Sequence, residues 1–266
     1  FFVKMDESWY KLFVLPFVEN YEMILLSMSC CFVIQWGTHF LSKIFFPNSY
    51  GKLNPRDQLD WCIRAVAIAH AIASWGSIPG ALYPSEEIAG KLDSVTGMMV
   101  YNHYAFSAES QFYFQIGTGY FLWDIIVSLY YNWGAVYITH GFASFGVFYF
   151  SLNPFLHLWG RFYHGVFELS TPWIHLREIM ELGGYDGILK TICEGLFALS
   201  FTIVRIILGV YVSYWWWMEM VNLIITGQAH SNFVIVYYLI ANSTLMALQI
   251  YWFVLLALAA LGKDVS

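Results

Sequence analysis

Charge is what this chain has least of. Only 11 % of its 266 residues are Asp, Glu, Lys or Arg, against about 25 % in an ordinary soluble domain. A soluble fold of this length could not cover its surface with so few. Basic residues are scarcer than acidic ones, 12 against 18, and the net charge is −6. No basic stripe exists to neutralise phosphates, which excludes nucleic acid as a partner. Cysteine is sparse as well. Cys30, Cys31, Cys62 and Cys193 lie in or beside apolar stretches without metal-ligand spacing, so free, buried thiols are expected rather than a disulfide framework. The chain has neither a Gly-x-Ser-x-Gly elbow nor a phosphate-binding loop. Its last apolar stretch holds no lysine before Lys263, which excludes a retinal-type Schiff base. The 8 histidines form no di-iron clusters and no paired haem-bridging sets, so no metal or cofactor is expected.

Apolar residues are present in abundance. They make up 59 % of the chain, the mean hydropathy is +0.58, and they fall in long blocks. A membrane crossing needs about 20 such residues. Seven blocks qualify, at residues 21–40, 58–82, 112–131, 134–151, 153–182, 191–217 and 232–261. Pro172 should kink the fifth, and Gly183-Gly184 should end it. The expected fold is all-α: a polytopic transmembrane helical bundle of about seven spans around a lipid-accessible cavity. Residues 1–20 read as an N-terminal interfacial segment, 21–262 as the transmembrane domain and 263–266 as a C-terminal tail. Phe1 in place of Met leaves room for a leader ahead of it. Trp215-Trp216-Trp217 marks a membrane boundary. The sequon at Asn242 falls inside a span and should go unused.

Lys43, Lys52 and Arg56 follow the first span, Arg177 and Lys190 flank the fifth-to-sixth connection, and Lys263 follows the last. Seven crossings place all three groups on one side, as the positive-inside rule requires. The acidic 84–108 loop then lies opposite, with the C-terminus cytoplasmic and the N-terminus outside or lumenal.

Two ionisable residues interrupt adjacent spans. Asp124 lies in the third and His140 in the fourth, each eight residues from Asn132 at the hairpin tip. At 1.5 Å per residue both sit about 12 Å from the tip. An ionisable group at membrane depth costs roughly 2.5–3.5 kcal/mol on insertion scales, so it faces a cavity or a partner. His157, Arg161, His164, Glu168 and His175 recur at spacings of four, three, four and seven, which strings them along one helix face. Arg161 is placed to pair with Glu168, or either with Asp124. Arg205 needs an acidic or carbonyl partner, and Arg64 can snorkel. A lone His or Asp in a span is also a common packing clasp. His39, His103 and His230 sit near span ends or in loops and are expected to be solvated.

Three segments appear in order: Gly119-Tyr120-Phe121-Leu122-Trp123-Asp124, then Ile138-Thr139-His140-Gly141-Phe142-Ala143-Ser144, then Phe167-Glu168-Leu169-Ser170-Thr171-Pro172. Together they resemble the TLC family of polytopic membrane proteins, which includes the ceramide synthases. Glu168 to Pro172 resembles the family's non-synthase branch. The resemblance implies a role in lipid handling and suggests the endoplasmic reticulum. In acyl-transferring members a His-His pair faces an acyl tunnel and its first His attacks a thioester. His140 matches that first position, and Gly141 stands in the second.

Three functions remain open at this level. The first is a lipid-handling protein that binds an acyl chain, phospholipid or sphingolipid in its bundle. The second is an acyltransferase with His140 as nucleophile or base, oriented by Asp124. The third is a non-catalytic subunit or scaffold of a membrane complex. The candidate catalytic residues are His140 and Asp124. The candidate ligand-binding residues are Trp123, His157, Arg161, His164 and Glu168. The expected partner is a membrane lipid or acyl chain, with a homo-oligomer or a larger membrane complex also open.

Overall fold

The computed structural model describes residues 9–84, 90–92, 99–100, 102–153 and 155–262. These residues are mainly helical, joined by short turns and loops, with a two-residue antiparallel pairing of β1 (Lys91–Leu92) with β2 (Met99–Val100). The acidic residues Glu86, Glu87 and Asp93, the tail 263–266 with Lys263, and the first eight residues lie outside the described set.

Helix α1 (Tyr10–Phe45) opens on a π-helical turn and runs unbroken across residue 20, with no break between the expected interfacial segment and the first span. Helix α2 (Pro55–Trp75) starts where Asn54 accepts a hydrogen bond from the Asp57 amide, with Pro55 in the first turn. A short α3 (Ile78–Leu82) follows. Helix α4 (Ala108–Tyr130) is capped by Ser107, whose side chain accepts from the Ser110 amide. The hairpin to α5 (Ala135–Phe150) turns through Asn132 at φ +50 and Gly134 at φ +100, both left-handed conformations. The sequence expectation of a tip here is met.

The fifth apolar block differs from expectation. Leu156 adopts a left-handed conformation (φ +59) and gives its amide to His103 O at 2.7 Å. Helix α6 (His157–Arg161) then runs straight into a π-helical turn, Phe162–Val166. The chain bends at Glu168–Ser170 before α7 (Thr171–Leu182). Pro172 is not a kink inside one helix but the first turn of a second, because it has no N–H to continue the preceding ladder. Helix α8 (Ile188–Ile225) contains a third π-helical stretch, Thr202–Leu208. Helix α9 (Asn232–Ala260) is capped by Ser231.

Helix α4 is central: α1 packs on one side of it and α5 on the other. The α1–α4 approach is close because Gly119 has no side chain. A Cβ there would collide with Ile24 O and Ser27. Ser27 Oγ donates to Ile116 O across the same seam at 2.8 Å. Helix α2 lies against α7, and α9 lies against α5 and α8. The outward faces of the long helices are apolar and exposed, with Val33, Trp36 and Phe40 on α1, Leu199, Ile207 and Tyr211 on α8, and Ile240 on α9. Such surfaces belong in lipid. Among the described residues, α1, α8 and α9 are long and apolar enough to cross a membrane.

Candidate functional site

A partly open cavity lies between α4, α5, the α6 segment, α8 and α9. Together with the open space at its mouth it encloses about 910 Å³ between its lining atoms. Its walls are mostly apolar: Phe114, Phe121, Phe148, Trp216, Leu245 and Met246 are typical. Two π-helical stretches face it. Their wider turns carry Tyr163 and His164 on one side and Arg205 on the other, and such bulges often mark functional sites.

His140 lines this cavity, its ring 6.0 Å from that of Phe121 and 6.1 Å from that of Trp252. It makes no hydrogen bond to any described residue. Asp124 does not line the cavity, and no hydrogen bond or ion pair joins it to His140. Its carboxylate instead abuts Gly141, where a Cβ would lie 3.0 Å from Asp124 Oδ2. The two groups therefore occupy neighbouring levels of adjacent helices, as the hairpin count predicted, without pairing.

The five-residue polar row is divided by the break in the helix. His157 is buried away from the cavity, taking the Ser107 amide on Nδ1 (3.0 Å) and meeting Ser151 O with Nε2 (3.1 Å). Arg161 points to the α3–α4 side. It bonds Ser110, donates to Ser107 Oγ at 2.6 Å and pairs with Glu109 at 2.9 Å. Its acid is therefore Glu109, not Glu168 or Asp124, because α6 turns this face away from the cavity. Trp123 is fully buried on the far side of α4, donating to Gln35 Oε1 at 3.0 Å. Of the expected ligand-binding residues, His164 and Glu168 line the cavity, and Trp123, His157 and Arg161 hold the scaffold around it.

Glu168 pairs with Arg205 at 3.6 Å. Arg205 also donates to Phe167 O (3.1 Å), Ser170 Oγ (3.1 Å) and Thr171 Oγ1 (3.0 Å), so it ties α8 across the bend before α7. The expected acidic and carbonyl partners of Arg205 are both present. As a member of the site Arg205 was missed. The signal was available: an arginine deep in the sixth apolar block, next in line after the Glu-x-Ser-x-Pro bend. His164 reaches the other way. Ser74 Oγ donates to His70 O at 2.8 Å, so the 2.7 Å contact has His164 Nε2 as donor to that hydroxyl. His164 Nδ1 then carries a lone pair and no partner. His70 stacks on Tyr120 at 3.6 Å.

Two of the three histidines at span ends or in loops depart from expectation. His230 is exposed, but His103 packs beside Glu219 at 3.6 Å, and burial lowers its pKa to about 4. His39 is half-buried, its Nδ1 2.6 Å from Tyr50 Oη. All four thiols are free, with Cys30 alone exposed.

The fold is a helical bundle with apolar outer faces, characteristic of an integral membrane protein, and it holds a partly open, mostly apolar cavity. The TLC domain family model matches residues 60–258, and the chain belongs to that family. It is 25 % identical to an uncharacterised TLC domain-containing protein of Schizosaccharomyces pombe, over 90 % of this chain and 81 % of the relative. It is 27 % identical to topoisomerase I damage affected protein 4 of Saccharomyces cerevisiae, over 52 % of this chain and 46 % of that protein. No solved structure matches.

Proposed function

We propose that this chain crosses the membrane seven times and binds one acyl lipid in the cavity between α4, α5, α6, α8 and α9. The observation that carries the reading is the cavity itself: a space walled by Phe, Trp, Leu and Met, with polar groups His140, Glu168 and Arg205 along it. An acyl chain would lie along the apolar wall and the lipid's polar end would meet these groups. The Arg205–Glu168 pair brings no net charge into the cavity. Membership of the TLC family supports a lipid-related role, in the endoplasmic reticulum by resemblance. Structure determination with lipid retained tests this. Elongated density between α5, α8 and α9 is expected, and a cavity filled by rearranged side chains contradicts it.

Acyl transfer is the second reading. One observation favours it: His140 faces the cavity with both ring nitrogens unbonded, so its lone pair is available to an acyl donor. The residue expected to orient it, Asp124, stands behind Gly141 instead. Incubation of the purified chain with an acyl thioester and an amine- or hydroxyl-bearing acceptor, with release of the free thiol followed, distinguishes the readings. Turnover that His140→Ala abolishes, with folding intact, supports transfer. Lipid retention without turnover leaves binding as the function.

A further inference from the structure

A second cavity lies between α1, the first two turns of α2 and the tip of the α4–α5 hairpin. Gln35, Trp36, His39, Gln58, Cys62 and Tyr131 are on its wall, and together with its mouth it encloses about 650 Å³. It shares no lining residue with the first. Most of its polar groups are already occupied. Gln58 Nε2 donates to Tyr50 O (3.2 Å) and Leu53 O (3.1 Å), and His39 Nδ1 meets Tyr50 Oη.

Gln35 is different. Its Oε1 takes the Trp123 indole N–H, which can only donate, so the carboxamide has one orientation and its Nε2 is left over. Gln35 is 6 % exposed, and that nitrogen makes no hydrogen bond to a described residue. The amide nitrogens of Asn20, Gln111, Gln115 and Asn242 donate within the protein. Those of Gln35 and Gln249 lie at a cavity wall instead. The second cavity therefore offers a donor at depth, and what it accepts must carry an oxygen.

Charge is an independent observation. Arg64, Arg161, Arg177, Lys190 and Arg205 each pair with a carboxylate. Lys43, Lys52 and Arg56 are exposed and pair with none among the described residues. All three belong to the segments that form this cavity. Lys43 lies one turn beyond His39 on the same face of α1. Lys52 ends the short turn that Tyr50 begins. Arg56 donates to Tyr131 O at 3.3 Å, over the face of Trp133. The nearest acids in the sequence are taken, Asp57 by Asn54 Nδ2 at 2.7 Å and Asp60 by Arg64 at 2.9 Å. Val33, Trp36 and Phe40 run down α1 beside the mouth as one exposed apolar stripe.

We propose that this second cavity holds the head and glycerol backbone of an anionic phospholipid, at the end of the bundle where the unpaired cations gather. The phosphate would lie by Arg56, an ester carbonyl would accept from Gln35 Nε2, and an acyl chain would follow the Val33–Trp36–Phe40 stripe. Basic clusters at the ends of membrane helices attract such heads. A zwitterionic head would bring its own cation towards three others, and a soluble anion would leave the stripe uncovered. The site is separate from the first cavity and does not depend on what that cavity binds.

The mouth opens to the bilayer, so this lipid exchanges during extraction and is added back for the test. The purified full-length chain in detergent receives equimolar dioleoylphosphatidylglycerol and dioleoylphosphatidylcholine, and adducts are weighed by native mass spectrometry. One phosphatidylglycerol per chain should be retained about tenfold more than phosphatidylcholine. Arg56→Gln, at an exposed position, should lower that ratio about fivefold. Gln35→Glu keeps an oxygen for the Trp123 indole but replaces the amide by a second acceptor, and should lower phosphatidylglycerol retention about tenfold. Met246→Trp, which fills the first cavity, should leave the ratio unchanged, and excess inorganic phosphate should not displace the lipid. Equal retention of the two lipids, or a ratio that survives either Arg56→Gln or Gln35→Glu, would overturn the proposal. So would loss of the adduct in Met246→Trp, which puts the lipid in the first cavity, and displacement by phosphate, which makes this a site for a soluble anion. The wild-type ratio and Arg56→Gln decide the matter even if Gln35→Glu fails to fold.

Discussion

Replacing Arg205 with Met should be the most damaging single change near the cavity. The side chain is 11 % exposed and supplies three hydrogen bonds of 3.0–3.1 Å and an ion pair at 3.6 Å. Met fills similar volume, so packing loss is small. What remains is Glu168, 18 % exposed, without its counter-charge. Breaking a buried pair in this way costs roughly 3–5 kcal/mol. At about 2–4 °C per kcal/mol for a chain of this size, the midpoint of thermal unfolding should drop by about 10 °C. Removing both charges, as Arg205→Met with Glu168→Leu, should recover most of that loss, because no orphan remains. The thiols provide the assay. Cys31, Cys62 and Cys193 are 2–7 % exposed, so a thiol-reactive dye reports their release on heating above a constant signal from Cys30. A drop below about 2 °C in the single variant, or a double variant no better than the single, would refute the reasoning.

Two further outcomes use the same heating assay. Gly119→Ala should cost about 3 kcal/mol, since the new methyl meets Ile24 O and sits 2.6 Å from Ser27 Cβ, forcing α1 from α4. Gly37→Ala, with nothing within 4 Å, should be neutral or stabilising by up to about 1 kcal/mol; equal effects would disprove the seam. His103, held at a pKa of about 4, resists a proton that the unfolded chain takes near pH 6.5. The contribution of His103 alone to stability should therefore decline as pH falls from 6.5 towards 4, by up to about 3 kcal/mol, read as the difference from a His103 variant. His103→Asn should flatten that slope, and an unchanged slope would contradict the burial.

Helix positions were largely legible because apolar blocks and caps are local. Asn54-Pro55, Asn132 to Gly134 and Gly183-Gly184 punctuate the chain where the structure turns. The cavity's neighbourhood was legible too, through His140 and Glu168. Which way each polar group faces was not. The single face drawn through His157 to His175 assumed one continuous helix of period 3.6. A π-helical turn at Phe162–Val166 and the bend at Glu168–Ser170 changed the phase. Arg161 consequently found Glu109, which is close in space but remote in the chain. The matched depth of Asp124 and His140 followed from counting along two helices. Their separation followed from helix rotation, which counting does not contain.

The most direct test of the cavity's role is native mass spectrometry of the gently purified chain beside Met246→Trp, which fills the space from α9. One acyl lipid per wild-type chain, lost from the variant with its folding retained, is the predicted result. A wild-type chain that carries no lipid, or a variant that carries as much, would contradict the account.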